Sequence, residues 1–129
     1  MAYLPRPEKR TMPRTPTSSQ AWYRTKAWRK VRAQKLLVDP VCEVHKSVGI
    51  LIDCTSNSPI DHIIRIDPSI GGATTDERNL MTLCTTCHER KSSMESRNFM
   101  IDWDLNEYGE KIPKPSGREL IITILAKDL

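Results

Sequence analysis

Two short pairs of metal-ligand residues constrain this chain more than anything else in it: Cys42-x-x-His45 and Cys84-x-x-Cys87. A two-residue gap suits a tight turn that aims two side chains at one ion. Two such knuckles place four ligands in a tetrahedron around Zn²⁺. The N-terminus, MAYLPRPEKRTMPRTP, has no apolar signal region. The chain is therefore expected in the cytoplasm, where cysteines serve as ligands more often than as disulfides. Cys54 competes with His45 for the last position. The gap from Cys42 to His45 mirrors the other pair and favours His45. Cys54 then reads as a small apolar residue near a strand turn.

A staple of this kind answers a thin core. The chain has 129 residues, is 38% hydrophobic, and holds 3 Trp, 3 Tyr and 1 Phe. That is one small domain with tails, and such a domain usually needs a metal, disulfides or a partner. No apolar run approaches the roughly 18 residues of a membrane span.

The net charge of +4 conceals a division. Residues 1–35 carry ten Lys/Arg and one acid, whereas residues 36–129 carry ten Lys/Arg and fifteen acids. A basic third on an acidic body points to a polyanion bound through that third, or to a solvated basic tail.

The pattern divides into three parts. Residues 1–19 read as a disordered basic tail. Residues 20–98 read as the folded domain, with a basic helix over 20–37 capped by Ser18 or Ser19 and ended by Asp39-Pro40. Arg24, Lys26, Arg29, Lys30, Arg32 and Lys35 surround its modest apolar stripe. The runs from Gly49 to Ile52 and from Ile60 to Ile66 read as two strands around a turn. A helix from about Thr85 to Asn98, capped by Thr85 or Thr86, carries the second knuckle. Residues 99–129 read as an acidic linker with an Asn106-to-Gly109 turn, then a short helix. Ser116 and Glu119 have capping-box spacing there, although the run could also be an edge strand.

A second constellation falls inside the metal frame: Asp61-His62, Asn79 and His88. A strand and a helix anchored to one zinc could hold a His and an Asp/His pair a few ångströms apart. Asp with His leaves most positions on a divalent ion open to water and phosphate, as a catalytic site requires.

The stretch DHI…GG…NLMTLCTTCHERKS resembles the HNH endonucleases of the ββα-metal group, in particular small phage-type proteins with two zinc knuckles. The segment from Trp28 to Cys42 fits the same subgroup, although His45 stands where that subgroup usually has Cys. The resemblance implies an α+β fold: a ββα-metal core over 41–98, stapled by zinc, with a basic N-terminal helix and a short C-terminal extension.

It also implies roles. His62 would be the general base, and Asn79 would hold the loop that orients it. Asp61 and His88 would hold a catalytic Mg²⁺ or Mn²⁺. Cys42, His45, Cys84 and Cys87 would hold structural zinc. Arg24, Lys26, Arg29, Lys30, Arg32, Arg90 and Lys91 would touch DNA phosphates, with Trp22, Tyr23 and Trp28 partly anchoring the basic helix. The implied activity is hydrolysis of phosphodiesters in double-stranded DNA, by nicking or cleavage. A phage-encoded protein would act in the host cytoplasm beside the terminase large subunit during genome packaging. Segment 102–110 and the last helix are the expected docking surface, with no membrane and no small-molecule cofactor involved. The alternatives are a non-catalytic zinc-binding DNA adaptor and a restriction or homing nuclease.

Overall fold

The computed structural model describes residues 19–56, 59–97, 99–127 and 129. The expected disordered tail, apart from Ser19, lies outside them, as does the middle of the Thr55–Pro59 turn. The fold is α+β, with helices α1 (Ser19–Trp22), α2 (Lys26–Val38), α3 (Glu43–Ser47), α4 (Thr85–Glu95) and α5 (Pro115–Ala126). Strands β1 (Ile60–His62) and β2 (Leu80–Thr82) pair antiparallel, as do β3 (Trp103–Leu105) and β4 (Lys111–Pro113).

The basic helix expected over 20–37 is broken. Thr25 caps α2 by accepting a hydrogen bond from the Trp28 amide at 3.1 Å. The same hydroxyl donates to the Trp22 carbonyl at 2.8 Å and closes α1. A threonine with an acceptor behind it and an amide ahead competes well against helix continuation.

Ile60 and its neighbours do form a strand, but its partner is not the Gly49–Ile52 run. Ile60 pairs with Thr82, Asp61 with Met81 and His62 with Leu80. The first run forms no strand among the described residues: Asp53, just past it, makes an isolated bridge with Val41, and Leu51 stays exposed.

Successive strand side chains point to opposite faces, and both faces of this ribbon are covered. Ile60 and Leu80 pack with Trp22, Trp28 and Ile66. Met81, Leu83 and Ile63 pack with the cysteines, Val44, Ile121 and Leu125. The ribbon is thereby held between the N-terminal helices and the metal knuckles.

The segment before the last helix, expected as an acidic linker, forms a hairpin. Asn106 and Gly109, the latter at φ 76°, turn a β3–β4 hairpin. This hairpin bonds to the body through the Ala73 amide and Lys111 carbonyl at 2.9 Å, and through the Lys111 amide and Gly71 carbonyl at 2.9 Å. Helix α5 forms as expected, but the Ser116/Glu119 capping box does not. Lys114 is the N-cap and Pro115 occupies the first turn, where its missing N–H costs nothing. Likewise Cys84, not Thr85 or Thr86, is the N-cap of α4, without a side-chain cap bond, and α4 ends at Glu95 rather than Asn98.

Ile121 and Leu125 are 2% and 1% exposed, so α5 covers the domain's own core rather than presenting an apolar docking face. Burial of two such side chains contributes about 1.5–3 kcal/mol each.

Glu43 ties these parts together. Its carboxylate accepts the Thr82 amide at 2.7 Å, lies 3.1 Å from the Lys35 ammonium and pairs with Arg118. One acid on the first knuckle thus bonds α2, β2 and α5. Lys35, expected on the solvated face of α2, is buried by this contact and by Asp39 at 2.6 Å.

Candidate active site and metal centre

The first centre is the Cys/His cluster. The ligand atoms of Cys42, His45, Cys84 and Cys87 all lie within 4.8 Å of one another. His45 Nδ1 stands 3.3, 3.6 and 3.5 Å from the sulfurs of Cys42, Cys84 and Cys87. Zn–S and Zn–N bonds of ordinary length at a tetrahedral angle separate N from S by ~3.6 Å. The donor set and its spacing therefore fit zinc.

Burial opposes ionisation of the Cys42 thiol, yet hydrogen bonds from His45 and nearby backbone bring it down to about 7. Burial and the Cys42 charge push Cys87 up. A cation resolves that conflict, because it favours every thiolate at once. Cys54 lies elsewhere in the core, its thiol facing the Ile52 carbonyl at 3.5 Å. His45, not Cys54, stands with the other three ligands.

The second centre is built on β1, the loop behind it and α4. The strand alternation sends Asp61 and His62 to opposite sides. Asp61 turns to α4, where its Oδ1 lies 3.5 Å from His88 Nε2. His62 turns to α2 and stacks on Trp28, ring centroids 5.0 Å apart. A cleft of about 140 Å³ opens between them, lined by Tyr23, Asp61, His62, His88, Ser92 and Glu95 among others.

Asn79 is completely buried and holds the intervening loop. Its amide nitrogen donates to the carbonyls of Ile64 and Ala73, at 3.0 and 2.8 Å, and its oxygen accepts the Ile64 amide at 2.7 Å. These bonds fix the chain beside Thr74, whose carbonyl lies 2.9 Å from His62 Nε2. Gly72 lets the loop close: a Cβ there would lie 2.1 Å from the Ile64 carbonyl oxygen.

A carbonyl only accepts, so Nε2 carries the ring hydrogen and Nδ1 keeps the lone pair. Burial lowers the imidazole to about 4, against the opposing effect of the Thr74 bond, so the ring is neutral at pH 7. The Tyr23 hydroxyl then donates to Nδ1 at 2.8 Å. Burial, and behind it the charges of Asp61 and Glu95, keep that phenol protonated.

The expected DNA contacts divide. Arg24, in the turn before α2, and Lys26, Arg29 and Lys30 at its start are exposed, and Arg32 is half-buried. Lys91 is 2% exposed and does not face solvent. Its ammonium lies 2.7 Å from Asp61 Oδ2 and 2.7 Å from Glu95, and it donates to the carbonyls of His62 and Ile63 at 3.3 and 3.1 Å. Its three N–H groups meet the His62 and Ile63 carbonyls and the Glu95 carboxylate, which explains why this lysine turns inward. The contact to Asp61 is an ion pair without hydrogen-bond alignment. Burial pushes the Asp61 carboxyl up, against the pull of Lys91 and His88. Arg90 is turned toward α5, where it donates to the Leu125 carbonyl.

Tyr23, Thr74 and Glu95 are site residues that spacing did not single out as such. Tyr23 had been noted only as a possible anchor of the basic helix.

An antiparallel ribbon followed by a helix, with Asp61 on the ribbon facing His88 on the helix beside a Cys/His cluster that could hold a metal, defines a small α+β domain. Residues 42–94 match the family model described as HNH endonuclease. No curated protein and no solved structure matches the chain. No described helix is long and apolar enough to cross a membrane.

Proposed function

We propose that this protein is a metal-dependent endonuclease that hydrolyses phosphodiesters in double-stranded DNA. The observation that carries the reading is His62, a neutral imidazole with Nε2 committed to a fixed carbonyl and the Nδ1 lone pair turned to the Tyr23 hydroxyl at the cleft. General bases are built this way, with the second nitrogen setting tautomer and orientation.

Asp61 and His88 would hold Mg²⁺ or Mn²⁺, which when bound neutralises charge on the phosphate and on the leaving 3′ oxygen. Their converging oxygen and nitrogen suit a hard cation, and the neighbouring cleft has room for phosphate. Asn79 keeps the loop and base in register. Lys91, itself held by Glu95, pairs with the Asp61 carboxylate from behind. The exposed cations of α2 would bind backbone phosphates, which supplies affinity without reading sequence. Zinc on the Cys/His cluster would be structural.

The resemblance to phage-type proteins extends this reading to a partner, the terminase large subunit. With α5 committed to the core, the exposed hairpin over 102–110 is the better candidate for that contact.

The test is nicking of supercoiled plasmid in Mg²⁺, Mn²⁺ and EDTA, comparing wild type with His62→Ala. Metal-dependent nicking that falls ~10²–10⁴-fold in the variant, with DNA binding retained, is the expected result. A second reading, a zinc-stapled DNA-binding module that does not cut, draws on the closure of His62 by Tyr23. Binding without cleavage in any cation would select it.

A further inference from the structure

His62 is 3% exposed, and its single lone pair already receives the Tyr23 proton. Water in the cleft beside Asp61 and His88 therefore reaches the imidazole through Tyr23 or after Tyr23 leaves. Several contacts oppose leaving. The segment Trp22–Trp28 is pinned at both ends by indoles that are each 6% exposed. Thr25 bonds forward to Trp28 and back to Trp22. The Tyr23 ring packs edge-on against Trp28 at 5.0 Å and tilted against His62 at 5.6 Å. Yet Tyr23 is 38% exposed and lines the cleft itself, so one side of the residue faces the place where substrate would lie.

We propose that Tyr23 is a catalytic residue, a hydroxyl relay between the attacking water and His62. This rests on the nuclease reading above. The water O–H bond breaks and its proton passes to Tyr23 Oη. The Tyr23 O–H bond breaks in the same step and its proton passes to His62 Nδ1. The water's electron pair forms the new bond to phosphorus, and the P–O3′ bond breaks. The leaving 3′ oxygen takes a proton from solvent, and the imidazolium later returns its proton to solvent through the same hydroxyl. Tyr23 ends as it began, neutral, with no tyrosinate required. A phenol suits this task because it donates and accepts through one oxygen.

Tyr23→Phe isolates the hydroxyl, since the ring and its packing on Trp28 remain. The test compares wild type, Tyr23→Phe, His62→Ala and the double variant in single-turnover plasmid nicking. Binding of the same DNA is measured alongside. Expected is a loss of ~10²-fold or more in the cleavage step for Tyr23→Phe, with unchanged DNA affinity. The double variant should be no worse than His62→Ala alone, because the two groups act as a unit. Wild-type rates in mixed H₂O and D₂O should curve as two moving protons require, and Tyr23→Phe should lose the curvature. The ¹⁵N resonance of His62 Nδ1 should shift in Tyr23→Phe while Nε2 stays in place.

Wild-type cleavage with Tyr23→Phe equal or faster would overturn the relay and make Tyr23 a cover over the base. An unmoved Nδ1 resonance would overturn it independently of any activity. Absence of cleavage by wild type in every cation would instead sink the nuclease reading, and the relay with it.

Discussion

Asn79 shows how much one buried side chain carries. It satisfies the Ile64 amide and two carbonyls that no water reaches. Replacement by Ala strands those groups, at about 1–3 kcal/mol for each unsatisfied one. Asn79→Ala is expected to lower the melting temperature and to release Thr74 from His62, so that residual cleavage falls further than the stability loss explains. Calorimetry and plasmid nicking on one preparation check both. His62 yields a second prediction. A free imidazole titrates near 6.5, and burial holds this one at about 4. The folded ring takes its proton less readily than the unfolded one. Stability linked to His62 is thus intact above pH 6.5 and lost as the pH falls toward 4. Ring resonances of His62 should therefore stay put between pH 8 and 5.5, and an ordinary titration near 6.5 would refute the burial argument. Residues with local signatures were readable from the chain: the knuckle pairs, Asp61-His62 and Asn79. Lys91 was not, because its inward turn depends on oxygens from Asp61, His62, Ile63 and Glu95, which only the fold brings together.

At the scale of elements, period and punctuation located most helices but not what they touch. Helix α5 was legible from Leu120, Ile121, Ile124 and Leu125, yet its packing against the metal knuckles was not. The β1 run was legible, whereas its pairing with Leu80–Thr82 depends on a long loop closed by Gly72 and Asn79. The break at Thr25 was missed because the cap competes with a sequence otherwise suited to helix. The knuckles themselves support a prediction. Cys84→Ala should abolish stoichiometric zinc and cooperative melting, because structural zinc supplies folding free energy. Cys54→Ser should keep one zinc per chain, since Cys54 lies outside the four-ligand cluster. Metal analysis with thermal melting distinguishes the two, and zinc loss in Cys54→Ser would reassign the site.

At the scale of the whole molecule, exposed positive charge lies next to the candidate site. The exposed cations Lys26, Arg29 and Lys30 sit on α2, which also carries Trp28 against His62, and exposed Arg24 lies in the turn before it. Phosphate binding there is expected to be salt-dependent, each neutralised phosphate adding about 0.9 to the slope of log affinity against log salt. A Lys26→Ala, Arg29→Ala, Lys30→Ala variant should flatten that slope by ~2–3 and leave the melting curve unchanged. An unaltered slope would move the DNA elsewhere on the surface. The basic segment was legible from composition, whereas its contact with His62 was not. One consequence concerns synthesis. Cys84 and Cys87 share a single buried cluster with Ile121 and Leu125. A ribosome that has finished the second knuckle has not yet supplied the helix that covers it. The nascent chain thus lacks a completed core around the second knuckle until α5 has emerged.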